Sequence, residues 1–181
     1  KIKKQNPDAV MVVAPSDHWI EDEVQFCSNL QHAFDFCERD ENLMTLGILP
    51  TFANTGYGYI EFDKLDSRPV KKVKQFREKP DYATARKFIQ SRNFLWNAGI
   101  FVWSAKTVLK AYEEFQPVMF AHFMNGYEAL NTPKEAAFIK DNYPLAQNIS
   151  VDYAILEKAQ NVYVLPATFD WNDLGTWGSL Y

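Results

Sequence analysis

Glycine is scarce, with 7 in 181 residues, and none of it forms a G-x-G-x-x-G fingerprint or a Walker loop. These residues therefore carry neither of the two familiar glycine-built phosphate cradles. A Gly-x-Ser-x-Gly elbow is also missing, which removes the α/β-hydrolase nucleophile. Histidine is limited to His18, His32 and His122, whose spacing matches no zinc site; His32 and His122 are expected in solvated or satisfied helical positions. Cysteine is limited to Cys27 and Cys37. Ten residues of helix would hold them about 15 Å apart, against the ~7 Å that a disulfide allows. Both are expected to be buried thiols on a core face with Val24, Leu30 and Phe34, as in a reducing compartment.

Long apolar runs and signal-peptide patterns are absent as well, so a soluble, cytoplasmic protein without a membrane partner is expected. No basic block exceeds "KKVK" at 71–74, and the formal net charge is −4. That argues against nucleic acid as the main partner and leaves room for a local basic pocket for phosphate. The sequence has no initiator Met and reaches an apolar run by Val10, so a further segment is expected upstream.

What is present reads as a globular α/β chain. Apolar residues make up 47% and aromatics 15%, enough for one core with a small lobe. "VMVVA" (10–14) and "MTLGILP" (44–50) read as strands buried on both faces, with a helix from about Trp19 to Arg39 between them. That strand–helix–strand unit is the signature of a parallel sheet. "TGYGYIEFD" (55–63), "VKKVKQFREKP" (70–80), "LWNAGIFVW" (95–103) and "NVYVLPA" (161–167) add strands. Asp81, Ser104 and Ser150 are placed to cap helices, Pro117 to start one, and "TPKE" (132–135) to form a capping box. The helices of 104–145 are expected to make a side lobe, and "FDWNDLGTWGSL" a turn entering a helix.

The chemically useful residues lie where strands end. Asp17 follows the first strand in "APSDHWI"; Glu78, Lys79 and Pro80 end another; Asn97 interrupts an apolar run; Asp173 follows "FDWN". Open α/β sheets bind ligands beyond strand ends. Two acids on separate strand ends suit Mg²⁺, which takes one or two carboxylates and leaves the rest to water and phosphate. A Glu–Lys pair suits a sugar phosphate, and Gly56 and Gly58 allow close approach to backbone. Each also has a plainer role: a cap for Asp17, a solvated pair for Glu78 and Lys79, a bulge for Asn97, turns for the glycines and Asp173.

The ordered set "APSDHWI", "GILPTFANTGYGYIE", "VKQFREKPD", "LWNAGIFVW", "SVDYAILEKA" and "FDWNDLGTW" resembles the mannose-1-phosphate guanylyltransferases, which make GDP-mannose from GTP and mannose 1-phosphate. These belong to the sugar-nucleotidyltransferase superfamily, and the resemblance covers nearly the whole chain. "EKP" alone is shared by relatives that use glucose 1-phosphate. The resemblance implies a Rossmann-like α/β fold, with a mixed, mainly parallel sheet flanked by helices. Residues 1–181 would be the C-terminal, sugar-phosphate-binding part of the catalytic domain. It further implies Mg²⁺ on Asp17 and Asp173, with Lys79 on the sugar phosphate as a third catalytic group. Glu78 and Asn97 would hold sugar hydroxyls, Gly58 would contact the sugar through its backbone, and Asp152 would stand near the sugar.

The family's N-terminal G-G-x-G-x-R-L-x-P loop does not occur in these residues and would lie upstream; a β-helix or isomerase extension would lie beyond Tyr181. The expectation is a chain inactive by itself that self-associates through an exposed sheet edge. Two alternatives are an enzyme for another sugar 1-phosphate, such as glucose, and a non-catalytic regulatory subunit that binds sugar nucleotides. The presence of both Asp17 and Asp173 weighs against the second.

Overall fold

The apolar runs become the strands of one mixed sheet in a computed structural model, which describes residues 1–175. The strands are β1 (Val10–Val13), β2 (Leu43–Ile48), β3 (Tyr59–Phe62), β4 (Lys71–Arg77), β5 (Phe94–Ser104) and β6 (Val162–Pro166). The helices are α1 (Ile2–Gln5), α2 (Glu23–Arg39), α3 (Tyr82–Ser91), α4 (Ala105–Phe115), α5 (Pro117–Met124) and α6 (Glu135–Asn142), with a short π-helix at Asp152–Leu156. An α/β chain with helices flanking a mixed sheet is what the sequence led us to expect.

The balance of strand directions is different. The order is β1-β5-β2-β6-β4-β3, and among the described residues only β2–β6 is a parallel pair. β1 and β2 run the same way, as a strand–helix–strand unit requires, but β5 lies between them and antiparallel to both. Local periodicity carries no trace of such a long-range insertion. A further β3–β5 pairing closes β5, β2, β6, β4 and β3 into a ring.

The apolar run of β2 is explained by cover on both faces. Met44 and Leu46 pack with Ala33 and Cys37 of α2 and with Ile100, Val102 and Leu165. Leu43, on the opposite face, packs with Phe101 and Trp103, with Val108 and Ala111 of α4, and with Ile155. Each such buried aliphatic side chain contributes about 1.5–3 kcal/mol. β1 departs from the expectation of a doubly buried strand. Among the described residues it pairs with β5 alone, and Val12 and Val13 remain 38% and 45% exposed. Its apolar character serves Val10 and Met11, which pack against the two cores.

α2 begins at Glu23 because Asp22 caps it, its carboxylate accepting from Gln25 N–H at 3.0 Å. Trp19 instead forms an antiparallel bridge with Asn172. Cys37 is buried, with burial pushing its thiol up to about 12, but Cys27 is exposed, as is Val24. Ten helical residues rotate a side chain by about 280°, so the two cysteines point roughly 80° apart. The inward face is Phe26, Asn29, Leu30, Ala33 and Cys37. The expected caps at Asp81 and Ser104 are present, each accepting from the N–H three residues on. In "TPKE" the helix starts at Glu135, whose carboxylate accepts from Asn131 N–H while Thr132 Oγ1 accepts from Lys134 N–H. His32 is exposed, and His122 Nε2 bonds the Asn142 carbonyl. The expected helix after Asp173 lies outside the described residues. No described helix is long and apolar enough to cross a membrane.

Candidate functional site

The site begins with an interruption in β5. One edge of this 11-residue strand pairs with β3 along Phe94–Trp96 and with β1 along Phe101–Ser104. Between them Gly99 takes a φ of +70°, a conformation that favours glycine, and the facing β2 slips register between Thr45 and Gly47. The bulge opens the β5 edge near Asn97, while Pro15 and His18, from the segment after β1, stand over Gly99.

Asn97 occupies this opening. Its N–H donates to the Gly58 carbonyl at 2.8 Å. Its Oδ1 accepts from Thr45 Oγ1 at 2.7 Å and from Gly99 N–H at 3.3 Å. Its Nδ2 donates to Asp152 Oδ1 at 3.1 Å. Glu78, at the end of β4, packs over Gly58: a Cβ there would sit 2.6 Å from Glu78 Oε2 and 3.4 Å from the Asn97 Cβ. Gly58 is thus glycine because its neighbours need the space. With its carbonyl taken by Asn97, its N–H is the backbone group on offer.

The two carboxylates here are held in an unfavourable setting. Burial pushes the Glu78 carboxyl above its ordinary value, the nearby Asp152 charge adds to this, and Lys79 opposes it. Burial likewise raises Asp152, against hydrogen bonds from its own backbone, Ser150 and Asn97. Lys79 turns away from the strand with a φ of +44° and keeps a mostly exposed ammonium 3.6 Å from Glu78 Oε1. The 3.6 Å separation and the exposure of its side chain leave the ammonium available to another anion.

The remaining two sequence candidates stand on segments that the Trp19–Asn172 bridge joins. Trp19 N–H donates to the Asn172 carbonyl at 2.8 Å and Asn172 N–H to the Trp19 carbonyl at 3.0 Å. Asp17 lies two residues before the bridge and Asp173 one residue after it. The Asp170 carboxylate ties the same loop down by accepting from Glu21 and Asp22 N–H. Asp17 is exposed. Asp173 Oδ1 accepts from the Tyr57 hydroxyl at 2.8 Å and from Gly175 N–H at 3.1 Å.

Among the described residues, Asp17 and Asp173 Oδ2 have no hydrogen-bond partner, and no cluster of three or more His, Cys, Asp or Glu could hold a metal. Two hard carboxylate donors with free oxygens fit Mg²⁺, which keeps its other positions for water and phosphate.

Sequence reasoning passed over two residues that organise the site. Tyr57 touches Trp96 and Trp171 edge-on and reaches Asp173; burial and that bond push its hydroxyl well above the usual tyrosine value. An aromatic between two glycines in "GYG" was its signal. Thr45, the polar residue inside the apolar "LMTLGI", holds Asn97. An apolar cavity of about 510 Å³ between α4, α5 and residues 143–149 includes none of these groups.

Comparison with known proteins places this geometry. The Nucleotidyl transferase family model matches residues 1–181. A mannose-1-phosphate guanylyltransferase of Salmonella muenchen is 33% identical over 96% of this chain and 37% of its own length. A mannose-1-phosphate guanylyltransferase of Escherichia coli is 32% identical over 100% of this chain and 40% of its own. The chain thus spans less than half the length of these relatives. Among solved structures, a mannose-1-phosphate geranyltransferase from Thermus thermophilus superimposes with a TM-score of 0.82 at 27% identity, covering 97% of this chain and 50% of that one. A UDP-glucose pyrophosphorylase complexed with UDP-glucose shares the fold at 15% identity, with a TM-score of 0.57 over 98% of this chain and 55% of its own. With a family model matched from end to end and relatives above 30% identity, this chain belongs to the nucleotidyl transferase family and is similar to its mannose-1-phosphate guanylyltransferases.

Proposed function

We propose that this chain is the sugar-phosphate-binding part of an enzyme that transfers GMP from GTP to mannose 1-phosphate. The observation that carries the reading is the Gly58, Glu78, Asn97 and Asp152 cluster at the break in β5, with Lys79 beside it. Carboxylates that only accept and an amide that donates suit the hydroxyls of a sugar. The exposed ammonium of Lys79 suits its phosphate. The names of the relatives supply mannose as the sugar and guanylyl as the transferred group.

In the reaction, a phosphate oxygen of mannose 1-phosphate attacks the α-phosphorus of GTP. The bond to the bridging oxygen of the β-phosphate breaks, and pyrophosphate leaves with GDP-mannose formed. Asp17 and Asp173 would hold Mg²⁺, which would supply charge screening and orientation of the phosphates. Glu78 and Asn97 fix the sugar, so that its phosphate is presented in one direction. Lys79 adds a positive point charge where negative charge gathers. Tyr57, bonded to Asp173 Oδ1, leaves Oδ2 of that carboxylate as the oxygen on offer. No side-chain nucleophile is required, in keeping with a sequence that lacks the motifs for one.

Calorimetric titration of the chain with mannose 1-phosphate and then glucose 1-phosphate, Mg²⁺ present, tests the reading. Selective binding of the mannose compound is expected. Preference for glucose 1-phosphate would reassign the sugar, and binding of neither would overturn the site.

A further inference from the structure

We propose that Thr45, in the middle of β2, is a positioning residue that sets the Asn97 amide so that it offers a ligand one N–H and no acceptor. The proposal rests on the sugar-phosphate reading above. Thr45 is fully buried, so it acts through Asn97 and not on a ligand.

The orientation of that amide follows from its neighbours. Gly99 N–H can only donate, so the atom it faces at 3.3 Å is Oδ1. An ionised Asp152 carboxylate can only accept, so the atom facing it at 3.1 Å is Nδ2. Thr45 Oγ1 makes the shortest of the three contacts, 2.7 Å to Oδ1. The hydroxyl has two further acceptors nearby, the Ile100 and Leu46 carbonyls at 3.3 and 3.4 Å, and its shortest contact is the one to Asn97.

An amide oxygen has two lone pairs, and here both are used. One of the two Nδ2 hydrogens is spent on Asp152 and one remains. Glu78 Oε2 and the Asn97 Cβ both border the space above Gly58, so a carboxylate and this amide side chain line the same spot. The site therefore selects a hydroxyl that accepts from Asn97 and donates to a carboxylate. A group that accepts without donating would leave a half-buried carboxylate unpaired. Thr45 enforces this from β2, two strands from β4 in the sheet order, where its full burial keeps it from a ligand.

The test uses the full chain with Thr45→Val, which keeps the shape and removes the hydroxyl, and Thr45→Ser, which keeps the hydroxyl and removes a methyl. Two readouts are taken: calorimetric affinity for mannose 1-phosphate and the NMR signals of the Asn97 side-chain amide. Thr45→Val is expected to weaken binding about tenfold or more and to move the amide signals. Thr45→Ser is expected to stay within about twofold of the parent with the signals in place, since a hydrogen bond and not packing is at issue. Unchanged binding and signals in Thr45→Val would overturn the proposal. So would a Thr45→Ser variant as weak as Thr45→Val, because packing would then be the cause. A parent chain that binds no mannose 1-phosphate refutes the substrate reading, and the amide signals then decide the role of Thr45: moved in Val and kept in Ser supports it, unmoved in Val overturns it.

Discussion

Glu78 and Asp152 are partly buried and tied to the sheet region, one at the end of β4 and the other bonded to β5 through Asn97. Asp17 and Asp173 instead sit on irregular segments joined by one pair of backbone hydrogen bonds around Trp19 and Asn172. The inner pair needs regular structure for the geometric selection proposed for it, and it is held there against the cost of burying charge. The outer pair keeps oxygens free, which a hard cation requires and folding does not. The groups proposed for recognition are therefore coupled to stability, and the acids proposed for the metal are largely uncoupled from it.

The sharpest way to break that contrast is at Gly58. In Gly58→Ala the new Cβ meets Glu78 Oε2 at 2.6 Å and Phe76 Cε1 at 3.2 Å. We expect destabilisation of about 1–3 kcal/mol in thermal melts and near-complete loss of mannose 1-phosphate binding by calorimetry. Asn97→Ala comes next. It removes the shortest partner of the buried Thr45 hydroxyl and one donor to the Asp152 carboxylate, for a loss of roughly 1–3 kcal/mol and at least about tenfold in affinity. Stability retained in either variant would mean that the inner pair is no better integrated than the outer.

A pH series separates stability from recognition at one residue. The folded-state value of the Glu78 carboxyl is raised, so between its ordinary and raised values the folded chain binds more proton than the unfolded chain. Stability is therefore lost as pH rises through that window and regained as it falls. Glu78→Gln should melt above the parent at neutral pH, converge with it near about pH 4, and still bind mannose 1-phosphate less well. A variant that melts lower at neutral pH would show that the Lys79 pair outweighs burial.

For the outer pair, Asp17→Asn should change stability by no more than about 0.5 kcal/mol. It should nevertheless weaken Mn²⁺ binding, followed by electron paramagnetic resonance, because one hard donor is lost. An unaltered Mn²⁺ affinity would remove Asp17 from the metal. The smallest effect on folding is expected from Val13→Lys on the β1 edge, within a few tenths of a kcal/mol, with reduced self-association in light scattering.

How much of this was legible in the sequence depended on distance along the chain. Strands were readable because β2 and β5 are largely apolar runs; Asn97 stood out inside the second, and Glu78 at the end of the alternating β4. The caps at Asp81 and Ser104 were readable because a cap acts within three residues. What escaped was set by partners far away. β5 separates β1 from β2, so a correct pair of same-direction strands suggested a wrong neighbour. Val12 and Val13 carry core-like chemistry on an edge. Tyr57 and Thr45 became informative when Asp173 and Asn97 were seen to meet them, 116 and 52 residues on.

The double pairing of β5 also dictates an order of events during synthesis. Among the described residues β1 pairs through Val10–Val13 with Phe101–Ser104, and that pairing cannot form until those residues have been made. At ribosomal speeds of about 5–20 residues per second, the nascent strand waits on the order of ten seconds with all its valines uncovered. Slow non-local closure of this kind places an aggregation hazard at β1, and makes the yield of folded protein depend on what shelters "VMVV" until β5 arrives.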